Sequence, residues 1–277
     1  MSNIQKVIKY LAIAFAIFLI FSIISGISSI MASIGNIFNE KDDYEITNPA
    51  TELKITNEAK EINIEVDISN ILIKKGDTFK IETANKYIES KQEGNKISII
   101  EKDHNLIFNN DKYPLLIYIP TNTTLEELKL ENGVGTVYIE ELSTKTLTLK
   151  LGMGKVTIDK LIVYDTTKID GGAGETNIKN SFLNNLDLNM GIGKFSLTTK
   201  LSGNSKIDHG VGELNLNLIG DKEDYQISLD KGIGTINLDN RKIKDNEIYG
   251  TGSNKIEIDG GVGNININFK KYNFNNG

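Results

Sequence analysis

Seven Gly-x-Gly triplets divide the C-terminal half of this chain into units of nearly constant length. They are Gly133-Val134-Gly135, Gly152-Met153-Gly154, Gly172-Ala173-Gly174, Gly191-Ile192-Gly193, Gly210-Val211-Gly212, Gly232-Ile233-Gly234 and Gly261-Val262-Gly263. Their spacings are 19, 20, 19, 19, 22 and 29 residues. A steady period of this size marks a repeat architecture, in which each unit buries its apolar face only by stacking on its neighbours.

Aligned on the second glycine, the units share one pattern. Two and four residues later stand Val137/Ile139, Val156/Ile158, Thr176/Ile178, Phe195/Leu197, Leu214/Leu216, Ile236/Leu238 and Ile265/Ile267. Five residues before it stand Leu130, Leu149, Ile169, Leu188, Ile207, Leu229 and Ile258. Alternation with period two is the mark of a strand with one buried face. Each unit therefore reads as strand, Gly-x-Gly corner, strand and short return. An antiparallel meander with Gly-x-Gly hairpin tips is the competing arrangement. It does not require the same residue types at equivalent places in successive units. The expected fold is all-β, a single-stranded β-solenoid.

The glycines are expected to do backbone work, through positive φ and the close stacking that a missing Cβ permits. The middle residue of every triplet is apolar, and it is expected to plug the corner of the core. One residue after the second glycine, Lys155, Glu175, Lys194 and Glu213 alternate in sign over consecutive units. Stacked in register they would form a charge ladder, each opposite pair contributing about 0.2–1 kcal/mol. Three residues after it come Tyr138, Thr157, Asn177, Ser196, Asn215, Asn237 and Asn266. Stacked Asn side chains can hydrogen-bond along such a column.

Residues 51–120 keep the alternation without the triplets and are read as strands that begin and cap the stack; 121–277 hold the repeats and a C-terminal cap around Phe269–Phe274. The 29-residue interval sets extra residues, Asn240 to Ser253, to one side near the C-terminal end.

The N-terminus is different in kind. Tyr10 to Ser33 carries no charge, and the span 10–34 is long enough as a helix to cross a bilayer core of about 30 Å. Lys6 and Lys9 precede it, which places the tail 1–9 in the cytoplasm and the rest outside. Residues 35–50 read as a linker. The alternative is a cleaved signal peptide, whose apolar region is shorter and ends in a better site than Ile30-Met31-Ala32. The expected location is the cell membrane, single-pass, with the C-terminal domain extracellular.

Composition removes several functions. Residues 40–277 hold 29 Lys+Arg against 37 Asp+Glu, so no nucleic-acid partner is expected. With no cysteine there is no disulfide, thiolate metal site or cysteine nucleophile.

The early Ile-x-Ile strands, the closure Ile117-Tyr118-Ile119-Pro120 and the run Leu128-x-Leu130-x-Asn132-Gly133-x-Gly135 resemble the bacterial putative-adhesin family over about residues 50–270. The resemblance implies a surface-located β-strand-repeat domain, found in envelope proteins and beside stress-signalling components. It supplies no catalytic residues.

The residues themselves point to no reaction. Gly171-Gly172-Ala173-Gly174-Glu175-Thr176 has Thr176 where a calcium-binding nonapeptide needs aspartate. Glu131, Lys150, Asp170, Asn189, Asp208, Asp230 and Asp259 form a further column four residues before the second glycine. Asp and Asn before a glycine turn serve as turn formers. His104 and His209 have no acid–base partner nearby in sequence. No catalytic, cofactor or metal site is expected, and the chain is not expected to be an enzyme. The expected function is binding or scaffolding at the bacterial cell surface, toward an envelope or surface ligand. The alternative is an accessory role in envelope-stress signalling through a membrane-protein partner.

Overall fold

The computed structural model describes residues 51–53, 55, 59–102, 114–230, 232–239, 241–243 and 247–271. All of them belong to the compact unit Tyr44–Gly277. The expected tail 1–9, membrane helix 10–34 and linker 35–50 lie outside the described residues, as do His104 and the Tyr272–Phe274 part of the expected C-terminal cap. Among the described residues no helix is long and apolar enough to cross a membrane.

Among the described residues the unit is all-β apart from one 3-10 turn, Lys222–Asp224. Seven strands open it: β1 (Thr51–Leu53), β2 (Glu61–Ile68), β3 (Ile71–Gly76), β4 (Lys80–Thr83), β5 (Ile88–Glu93), β6 (Lys96–Glu101) and β7 (Leu115–Pro120). The repeats supply β8 (Leu125–Ile139), β9 (Leu142–Ile158), β10 (Leu161–Asp170), β11 (Ala173–Asn184), β12 (Leu186–Asn189), β13 (Ile192–Ser202), β14 (Asn204–Asp208) and β15 (Val211–Ile219). Then come β16 (Tyr225–Asp230), β17 (Ile233–Leu238), β18 (Arg241–Lys242), β19 (Glu247–Tyr249), β20 (Asn254–Asp259) and β21 (Val262–Lys270).

Successive repeats pair in parallel, not as a meander. Leu149 pairs with Leu130 and Ile169, and Gly154 pairs with Gly135 and Gly174. One turn of the coil thus presents a leg before the Gly-x-Gly bend and a leg after it. The short return also holds a third leg. Leu161–Val163 pairs with Leu142–Thr144 on one side and Ser181–Leu183 on the other, and Ser181–Asn184 pairs in turn with Thr199–Ser202. Leu161, Val163, Leu183 and Leu201 point inward from this leg and are fully buried. Every inward position aligned around the glycines is buried except Leu238, which is half-buried on an outer rung. Full burial of one such aliphatic side chain stabilises by about 1.5–3 kcal/mol.

The stacking order departs from chain order at both ends. β20 lies between β14 and β16, and β21 lies between β15 and β17. The last repeat therefore fits between the fifth and the sixth. At the other end β2 lies between β6 and β8, and β3 between β7 and β8. The expectation that consecutive units lie atop one another is corrected at these two places. The outer rungs then carry antiparallel strands: β5 on β6, β4 on β7, β19 on β16 and β18 on β17. The extra residues of the 29-residue interval are the source of β18 and β19. Such edge strands are short and charged, as in Arg241-Lys242 and Glu89-Ser90-Lys91, which discourages further strand addition.

A Cβ on Gly152, Gly172, Gly191 or Gly210 would come within 2.0 Å of a carbonyl oxygen of the rung beneath. The second glycines, from Gly135 at φ +147° to Gly263 at φ +138°, hold a backbone that L side chains rarely adopt. These glycines turn the chain so that their own missing side chains would point along the stack. The alternation is reset across the bend, and the middle residue is left facing outward. The expectation that it plugs the core is overturned: Met153 is 44 %, Ile233 73 % and Val262 38 % exposed, and Val134, Ala173, Ile192 and Val211 are half-buried.

Candidate functional site

The outward middle residues stand in register. In stacking order they are Val134, Met153, Ala173, Ile192, Val211, Val262 and Ile233. At about 4.8 Å per rung, the six intervals make an apolar column about 29 Å long. Met153, Val262 and Ile233 are exposed and the other four half-buried, and apolar side chains lined up at the surface in this way mark a candidate interaction surface. The residue type alone suggested core, but the range from Ala173 to Met153 was the available counter-signal, since plugs of one layer should match in size.

Polar columns flank the strip on both legs. After the bend run Thr136, Lys155, Glu175, Lys194, Glu213, Asn264 and Thr235, in register. Of the alternating charges, Lys194 and Glu213 approach to 3.9 Å. Thr235 donates to Asn264 Oδ1 at 2.6 Å. Two residues further on, Asn237 Nδ2 donates to Asn266 Oδ1 at 2.9 Å, and Asn266 Nδ2 to Asn215 Oδ1 at 3.0 Å.

Before the bend, Glu65, Glu131, Lys150, Asp170, Asn189, Asp208, Asp259 and Asp230 stack in that order. Lys150 reaches Glu131 at 3.1 Å. Lys206 lies 3.3 Å from Asp208 and 3.4 Å from Asp259, and hydrogen bonds to these two carboxylates raise its pKa. One cation thus offsets two of the three aspartates brought together at the C-terminal end of the column.

Geometry and family agree. A profile of the Toastrack DUF4097 family matches residues 51–268. The chain belongs to that family. A comparison with curated proteins found no match. Among solved structures, a putative cell adhesion protein from Clostridium sporogenes ATCC 15579 is similar at 20 % identity and a TM-score of 0.35, over 80 % of this chain and 100 % of that one. A putative adhesin from Bacteroides fragilis NCTC 9343 is similar at 15 % and 0.37, over 79 % and 96 %. A putative lipid binding protein from Parabacteroides distasonis ATCC 8503 is similar at 14 % and 0.35, over 78 % and 96 %. With TM-scores below 0.5, these likenesses do not bear on what this Toastrack chain binds.

The Toastrack coil has two further features beside the strip. An open hollow of about 540 Å³ lies against the acidic column, between Glu65, Asp67, Glu131, Lys150 and Asp170. Among the described residues no group of three or more His, Cys, Asp or Glu is placed to hold a metal ion. His209, just before the Gly210 bend, is buried. Its Nδ1 accepts the Gly261 N–H at 3.3 Å, while Nε2 has no hydrogen-bond partner. Burial pushes its pKa down, against a smaller opposing effect from the Gly212 backbone. Tyr138 donates to Asp159 at 2.8 Å, and burial followed by that bond pushes its pKa up to about 12. These shifts belong to side chains packed into the Toastrack wall. What the surface offers a partner is a long apolar line between rows of fixed charge.

Proposed function

We propose that this chain is a membrane-anchored protein that displays its Toastrack domain outside the cell and works by binding or scaffolding at the bacterial surface. The observation that carries the reading is the outward-facing apolar column, exposed at Met153, Val262 and Ile233, with polar and charged columns on either side. Its residues are fixed to a rigid backbone, so a partner meets a surface that costs little ordering entropy. The anchor rests on the uncharged span 10–34, with Lys6 and Lys9 on the cytoplasmic side. The partner is an envelope or surface ligand, held by apolar contact and polar rows without chemical conversion.

The test is cosedimentation of the full chain, in detergent, with isolated cell-wall sacculi that retain their attached polymers. Wild-type protein is expected in the pellet, and a Met153→Asp/Val262→Asp variant in the supernatant. If wild type stays in the supernatant while a cellular phenotype depends only on residues 1–40, the surface-binding reading fails and the signalling role through a membrane-protein partner takes its place.

A further inference from the structure

We propose that the Toastrack column pairs with the same column of a second copy of this chain, antiparallel, about a two-fold axis between the rungs of Glu175 and Lys194. The inference rests on the reading of this column as a binding face and gives it a second occupant, which competes with the surface ligand for the central rungs.

Charge order decides the partner and its direction. A two-fold axis perpendicular to the column brings each flank against the same flank of the other copy. Read upward, the flank after the bend is Lys155, Glu175, Lys194, Glu213. Read downward it is the opposite charge at every step. Lys155 therefore meets Glu213 of the second copy, and Glu175 meets Lys194, each pair occurring twice. In the apolar line Met153 meets Val211 and the small Ala173 meets the larger Ile192. On the other flank Lys150 meets Asp208, and Asp170 meets the neutral Asn189. Beyond these four rungs Glu131 faces Asp259, a like pair, so the central rungs carry the contact.

The symmetric parallel arrangement fails on the same residues. It sets the flank after the bend against the flank before it, rung for rung. Lys155 would then face Lys150, Glu175 would face Asp170, and Glu213 would face Asp208, with no opposite pair in exchange. Like charges brought together exclude that arrangement. The four central rungs, about 19 Å of column and roughly 20 Å wide across both flanks, give on the order of 400 Å² per copy, the size of a weak, transient contact.

The native chain has no cysteine, so introduced thiols report contacts cleanly. Full-length M153C and V211C are prepared separately and treated with a short bis-maleimide, alone and mixed. Antiparallel pairing brings position 153 to position 211 but leaves 153 about 14 Å from its own copy, three rungs away. The mixture is expected to give cross-linked dimer and M153C alone to give little. A second measurement uses dimer dissociation constants from sedimentation in detergent. K155E and E213K are each expected to weaken the dimer at least about fivefold, since each change turns two attractions into repulsions. K155E/E213K is expected to restore it. Within one chain the double variant stacks Glu on Glu and Lys on Lys, so its rescue can come only from the second copy. Cross-linking of M153C alone, or no cross-linking in the mixture, overturns the proposal. Sacculus binding by the Met153→Asp/Val262→Asp variant separately decides whether the column is a binding face at all.

Discussion

Asn266 stands between Asn215 and Asn237, giving its amide hydrogen to the first at 3.0 Å and accepting one from the second at 2.9 Å. In the sequence Asn266 comes last of the three. Its central position is the side-chain counterpart of the strand order, in which β21 fits between β15 and β17. Asn215 continues the chain of bonds to Glu213 Oε1 at 2.7 Å. A ladder that crosses three rungs ties the last repeat into the interior of the stack.

The first consequence concerns this ladder. Asn266→Ala removes both rung-to-rung bonds and leaves two neighbouring amides short of a partner. Asn237→Ala removes one. Denaturant unfolding should show a loss of about 2 kcal/mol for the first and about 1 kcal/mol for the second. Equal losses would mean that the column contributes only through its individual strand positions.

The strand order also predicts where the stack opens. In a solenoid stacked in chain order the last repeat frays first. Here β20 and β21 are covered on both sides, whereas β17 to β19 lie at the outside. Amide hydrogen exchange should therefore be slower over 254–270 than over 233–249, although 254–270 is nearer the C-terminus. Faster exchange over 254–270 would contradict the observed order.

Much of this architecture was legible from residues alone. The paired apolar positions on either side of each bend gave the inward faces, and the equal spacing gave the register that brings Gly135, Gly154 and Gly174 together. Three things were hidden, each for a physical reason. The exchange of the last two repeats was hidden because Val262 and Ile233 sit in equivalent units, either of which fits on Val211. The third leg was hidden because Leu161 and Val163 make too short an alternation to stand out from a return loop. The direction of Met153 is hidden because the glycines around it reset the alternation, and an apolar residue type by itself reads as an inward one.

The glycines make a sharp comparison. Gly174 has φ +154°, and a Cβ there would lie 1.9 Å from the Gly154 carbonyl oxygen. Gly94 has φ +58° with nothing within 4 Å. Gly174→Ala must both leave a glycine-only backbone and push two rungs apart, at an expected cost of about 3 kcal/mol or more. Gly94→Ala bears only the left-handed backbone cost, about 1 kcal/mol. Thermal or denaturant melting of the two variants should separate them clearly.

The last expectation is a pH dependence traceable to His209. Burial holds its folded-state pKa below the ordinary 6.5, so the unfolded chain binds that proton more readily. Stability from this group is complete above the unfolded value, falls as pH drops below it, and stops changing once pH is under the folded value. Paired carboxylates act in a lower window. Glu141, for example, is held down by hydrogen bonds from Lys160 and Lys75, and its contribution is present above the usual carboxylate range and lost on acidification through its folded value. Chemical denaturation from pH 8 to pH 3 should therefore show two descending limbs. In His209→Gln the upper limb should vanish while the acid limb persists. If the upper limb survives that substitution, the buried imidazole beside the Gly261 amide is not its source.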